Sequence, residues 1–143
     1  MTPDNLFRLA NGLAMIGWLL LIGLPMFRSD KLIIGIIVTL LAMVYTYFVF
    51  TEFRPANLRN FSSLPGVAEL FQNRNMLLAG WVHYLAFDLM VGLWMRHNAK
   101  KYHISHWLAA PCLLFTFLLG PMGLLIYLLI RLLKTKKYFS ENF

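Results

Sequence analysis

Two ionisable side chains lie inside one of the most apolar stretches of this chain. His83 and Asp88 both fall within residues 76–94, MLLAGWVHYLAFDLMVGLW, a run long enough to cross a bilayer. A charged group at the centre of a membrane helix costs about 2.5–3.5 kcal/mol on insertion scales, so such a residue normally faces protein or a water-filled cavity. An imidazole and a carboxyl are also suited to moving protons. In an apolar surround a carboxyl favours its neutral form and can donate a proton, while a neutral imidazole can accept one. A plainer reading stands beside this one. Asp88 can be interhelical glue, bonded to Tyr or Asn, and His83 can be bonded to a backbone carbonyl.

Spacing narrows the arrangement. With His83 at zero on a helical wheel, Phe87 falls at roughly 40°, Gly80 at 60°, Tyr84 at 100° and Asp88 at 140°. His83 and Asp88 then edge one side of the helix, about 7.5 Å apart along its axis, where they can flank a single cavity formed with another helix. We take Asp88 and His83 as the candidate catalytic pair, with Trp81, Tyr84, Phe87 and His106 as candidate substrate contacts. Tyr84 and Asp88, at i and i+4, are within hydrogen-bonding reach. Trp81 offers a large flat apolar surface, although Trp81, Trp94 and Trp107 also suit plain packing or span-end positions. His106 is the histidine of residues 95–106 closest to an apolar span. His97 and His103 read as surface residues, and the His103–His106 spacing is too weak a signal for a metal site. No metal or other cofactor is expected.

The elements that must hold these groups are membrane helices. Among 143 residues the hydrophobic share is 59% and the charged share only 13%, against roughly 25% in a soluble domain. Four apolar spans are predicted, at residues 9–26, 32–50, 76–94 and 107–130, forming one all-α transmembrane domain over residues 1–143. Pro25 closes the first span, and the short link that follows makes the first two an antiparallel hairpin. Tyr45, Tyr47, Phe48 and Phe50 suit an interfacial belt, with Tyr45 alternatively beside a ligand. The long connection 51–75 contains Ser62-Ser63-Leu64-Pro65, a helix-start pattern. Leu64, Val67, Ala68 and Phe71 follow at helical spacing, so a short amphipathic interfacial helix is predicted between spans two and three. In the fourth span Gly120-Pro121-Met122-Gly123 predicts a kink.

The net charge of +7 is spread over the links and the tail rather than along a basic stripe, which argues against nucleic acid. With four spans, Arg8, Arg54, Arg59, Arg74, Arg131, Lys134, Lys136 and Lys137 share one side. Arg28, Lys31, Arg96, Lys100 and Lys101 take the other, and this bias predicts both termini in the cytoplasm. The first run is long and lacks a small-residue cleavage site, so it reads as a retained anchor. Cys112, the single cysteine, reads as a buried small hydrophobe. No P-loop, GxGxxG, HExxH or CxxC is present.

Residues 61–71, FSSLPGVAELF, and 78–89, LAGWVHYLAFDL, resemble the neoxanthin-synthase-like membrane proteins of the abscisic-acid-deficient type. The W-x-H-x-L-x-x-D-L core is present as Trp81, His83, Leu85, Asp88 and Leu89. His106, Cys112-Leu-Leu-Phe115 and Gly120-Pro121-Met-Gly-Leu124 match as a second block. The resemblance implies a four-span membrane protein needed to convert violaxanthin to neoxanthin in plants. Plant relatives carry a transit peptide, whereas this chain begins at its first span and looks bacterial, so an inner-membrane location is expected. Relatives often carry an Arg near the end of the third span; here Leu93 follows Gly92, and Arg96 is the nearest basic residue.

On this resemblance the expected activity is isomerase-type, acting on a carotenoid or related isoprenoid, alone or as an essential enzyme subunit. Opening an epoxide to an allene moves no net electrons and needs only an acid and a base, roles open to Asp88 and His83. A non-catalytic alternative is a pigment- or lipid-binding protein that presents substrate to a partner membrane enzyme. A second is a small proton-coupled transporter using Asp88, although no matching inverted half is present. Membrane lipid, an isoprenoid ligand, and a homo-oligomer or partner enzyme are the expected associations.

Overall fold

The computed structural model describes residues 2–23 and 30–136, and its regular structure there is entirely helical. In chain order come α1 (Pro3–Gly23), α2 (Asp30–Glu52), a 3-10 helix (Pro55–Ser62), α3 (Leu64–Leu70), α4 (Arg74–Lys101), α5 (His106–Leu119) and α6 (Pro121–Thr135). Three of these, α1, α2 and α4, are long and apolar enough to cross a membrane. Pro25, the link after it, Arg28 and Lys137 lie outside the described residues.

The centre of the bundle is α4. Its 28 residues extend about 42 Å, well beyond a hydrocarbon core of about 30 Å. Val82, Leu89 and Met95 are fully buried along it. Small residues let α1 approach closely. A Cβ on Gly17 would stand 2.7 Å from a Leu89 methyl, and one on Gly92 would stand 2.8 Å from the Trp18 ring. Chain direction is fixed at the start of α4. Arg74 pairs with Asp4 of α1 at 2.8 Å, and Asn75 donates to Glu52 of α2 at 2.7 Å. The beginnings of α1 and α4 and the end of α2 therefore share one end of the bundle, the Asp4 end. Lys101 and Gly23 mark the other, the Lys101 end.

The fourth span is where the fold departs from expectation. No single helix covers residues 107–130. The 14-residue α5 and the 15-residue α6 are each about 21–23 Å long, too short to cross. They meet at Gly120, whose φ of +55° lies in the left-handed region that glycine adopts without strain. Pro121 then starts α6 where its missing N–H costs nothing. The chain reverses here instead of kinking. Gly123 packs directly against Thr116 and the Cys112 carbonyl of α5, so the two helices close as a tight hairpin.

The contacts of this hairpin along α4 give its depth. The Phe117 carbonyl meets Tyr84, and Gly120 lies beside Asp88. Further out, Tyr127 bonds Asn98, and Arg131 covers the Tyr102 ring. The tip thus sits at the middle of α4, and both outer ends lie at the Lys101 end. The predicted fourth span over residues 107–130 is corrected accordingly, to two short helices folded back on each other. Thr2 and Lys136, the ends of the described chain, lie at opposite ends of the bundle.

At the Asp4 end the predicted short helix is present as α3. Ser63 caps it, accepting from Gly66 N–H at 3.2 Å, and Pro65 sits in its first turn. Its inward residue is Leu70, while Leu64 is 83% exposed.

Candidate functional site

His83 faces outward from α4 between two aromatic rings. Phe87, one turn on, stacks on it with ring centroids 4.5 Å apart, and Tyr45 of α2 approaches to 5.4 Å. Beside this trio a groove of about 420 Å³ runs toward the Asp4 end between α2, α4 and the 3-10/α3 segment. Val49, Phe53, Phe61, Phe71 and Gly80 line it, with His83 and Tyr45 as its polar groups. Gly80 keeps the wall low, since a Cβ there would come 3.0 Å from the Phe71 ring. The groove is apolar, aromatic and open to the side, which suits a ligand that arrives from lipid. Tyr45 lines this groove.

Asp88 takes another direction. It points toward the hairpin tip, where a Cβ on Gly120 would lie 3.1 Å from its Oδ2. That oxygen is buried and makes no hydrogen bond. The phenol of Tyr84, one turn earlier, faces the same carboxyl, while its hydroxyl donates to the Phe117 carbonyl at 3.3 Å. The residues lining the groove do not include Asp88. Among the described residues, the groove at His83 therefore does not extend to Asp88. Their angular separation on α4 is as expected, but α2 covers one edge and the α5–α6 tip covers the other.

The remaining predicted contacts disperse. Trp81 donates from Nε1 to Asn11 Oδ1 at 3.1 Å and packs between Phe7 and Tyr84. It borders a separate hollow of about 230 Å³ near Asp4 and Arg74. His106 lies at the Lys101 end, its Nε2 3.0 Å from the Ile22 carbonyl, where it ties the start of α5 to the end of α1. Cys112 is buried, as expected, and its Sγ donates to the Leu108 carbonyl at 3.5 Å.

A family model described as ABA DEFICIENT 4-like matches residues 5–127. The chain belongs to that family. Membership suggests a carotenoid-related membrane protein. Comparisons with the curated proteins and with the solved structures gave no significant match. The matched stretch contains the groove, Asp88 and the hairpin tip, and it ends within α6 at Tyr127.

Sequence reasoning passed over the polar cluster that holds α6 in place. Tyr127 and Asn98 are both buried, and the phenol donates to Asn98 Oδ1 at 2.7 Å. Arg131, only 1% exposed, donates to the same oxygen at 3.3 Å and lies over the Tyr102 ring at 5.0 Å. Arg96, also buried, donates to the Leu20 carbonyl at 2.8 Å. The available signal was Asn98 and Arg131 themselves, polar residues beside apolar runs, which read as membrane-edge positions on a four-span plan.

Proposed function

We propose that this protein binds a carotenoid or related isoprenoid in the aromatic groove between α2, α3 and α4, with the ligand's polar end group at His83 and Tyr45. The observation that carries this reading is the groove itself, apolar over most of its wall and polar at one point. A long polyene partitions into lipid and can enter such a groove sideways. The imidazole and phenol offer a donor and an acceptor to a hydroxyl, keto or epoxide oxygen at its end. Membership of the family supports the ligand class.

The test is the pigment that copurifies from a carotenoid-making host. The full chain should carry a polyene absorption band, and mass spectrometry of the extract should identify the molecule. Val49→Trp, which fills the groove from a half-buried position, should reduce bound pigment by roughly tenfold or more while circular dichroism stays helical. A colourless wild-type protein from such a host would overturn the reading.

A second reading adds chemistry. The buried, unbonded Oδ2 of Asp88 is an unusual cost for the fold to carry, and such groups concentrate at functional positions. In an isomerase-type reaction a protonated Asp88 would deliver the proton to an epoxide oxygen, and a neutral His83 would remove one from carbon. The two groups open to different sides of α4, so this reading requires the ligand end to pass across the helix face near Tyr84 and Phe87. Asp88→Asn keeps shape and removes the acid. On this reading it abolishes the isomerised product in a producing host without lowering bound pigment. Undiminished product from Asp88→Asn would remove Asp88 from the chemistry.

A further inference from the structure

The turn between α4 and α5 encloses a second hollow, remote from the groove. It measures about 330 Å³ and lies at the Lys101 end. Arg96, Lys100, His103 and His106 line it, together with Ala99, Ile104 and Ala109. None of those seven residues is acidic. Four nitrogen-bearing side chains therefore converge on one small space at a bundle end.

The geometry around it suits an anion. Ser105 stands before the first turn of α5 and makes no side-chain cap, so the opening amides of that helix have no side-chain acceptor from it. The Arg96 guanidinium is held in place through Nη1 by the Leu20 carbonyl, which fixes its position at the hollow's inner wall. Lys100 and His103 are exposed at its mouth. Trp107, next in sequence to His106, is 84% exposed, as an indole at headgroup level is. A hollow next in sequence to so exposed an indole, at one end of three helices of membrane-crossing length, is suited to phospholipid headgroups.

We propose that this hollow binds the phosphate of an anionic phospholipid, with Lys100 and His103 closing over it from the aqueous side and Arg96 behind. The shared chemistry is a phosphate oxyanion, and the lipid is its source. The proposal does not depend on the carotenoid reading.

Native mass spectrometry of the full chain, titrated with dioleoylphosphatidylglycerol or dioleoylphosphatidylcholine, tests it. The wild-type protein should retain the anionic lipid preferentially. Lys100→Gln should weaken that retention about fivefold, the worth of one basic side chain near a membrane surface, and His103→Gln should weaken it further. Both residues are exposed, and because His103 holds a φ of +53°, circular dichroism and the thermal midpoint of His103→Gln should first be shown to match wild type. Lys134→Gln, at the same end but outside the hollow, should leave retention unchanged. If inorganic phosphate binds and the anionic lipid is retained no better than the zwitterionic one, the lipid source is wrong. Equal retention of both lipids with no phosphate binding, or a preference that survives Lys100→Gln with His103→Gln, overturns the site.

Discussion

Valine in place of Gly123 should prevent the α5–α6 hairpin from closing. The Gly123 backbone lies against the Thr116 amide and hydroxyl and against the Cys112 carbonyl, so even a single Cβ would overlap main-chain atoms of α5. Main chain cannot rotate away as a side chain can. The overlap has to be relieved by separating the two helices. Over-packing of a filled interior costs typically 1–3 kcal/mol, and a backbone-limited contact belongs at the upper end, about 3 kcal/mol. Separation would also strain the Tyr127–Asn98 bond and the Thr116 hydroxyl, which is fully buried and donates to the Cys112 carbonyl at 2.9 Å. Thermal unfolding of the purified chain, followed by tryptophan fluorescence, should show a markedly lowered midpoint for Gly123→Val. Gly12→Ala should show none, because a Cβ at Gly12 meets nothing within 4 Å. A Gly123→Val protein as stable as wild type would mean that α6 does not pack on α5 at this point.

The same glycine explains where reading the sequence succeeds and where it stops. The runs that become α1, α2 and α4 are legible because each is long and apolar, and lipid imposes that pattern whatever the neighbours do. The ends of α4 are less legible. Arg96 and Asn98 are polar and look like membrane edge, yet both are buried because α1 and α6 supply their partners. Gly120-Pro121 announces a break in any reading. Whether the break is a kink or a reversal depends on Gly123 meeting Thr116 and on Tyr127 finding Asn98 on another helix, and no local pattern contains those pairings. The candidate site divides in the same way. Helical periodicity sets His83 and Asp88 far apart around α4, but it cannot say that α2 covers the first and the hairpin tip the second.

Reporter fusions should place the two ends of the described chain on opposite sides of the membrane. Three helices are long and apolar enough to cross, and the α5–α6 hairpin begins and ends at the Lys101 end, so an odd number of crossings is expected. The basic residues then redistribute. Arg8, Arg54, Arg59 and Arg74 stay at the Asp4 end, while Lys31, Arg96, Lys100, Lys101, Arg131, Lys134 and Lys136 gather at the other. Lysine and arginine close to span ends bias orientation toward the cytoplasm, so the Lys101 end should face it. Acidic residues lean the other way, since Asp4, Glu52 and Glu69 all lie at the Asp4 end, although carboxylates weigh little in this rule. In a bacterial host a green fluorescent reporter placed after Lys136 should fluoresce. Alkaline phosphatase inserted near Arg59, in the connection between α2 and α4, should be active outside. The expected contrast is all-or-none, because each reporter works on one side only. Fluorescence from the carboxyl-terminal reporter together with an inactive phosphatase would place both positions in the cytoplasm. Only a continuous fourth crossing allows that, and it would return the chain to the four-span plan with Gly120 as a mere bend.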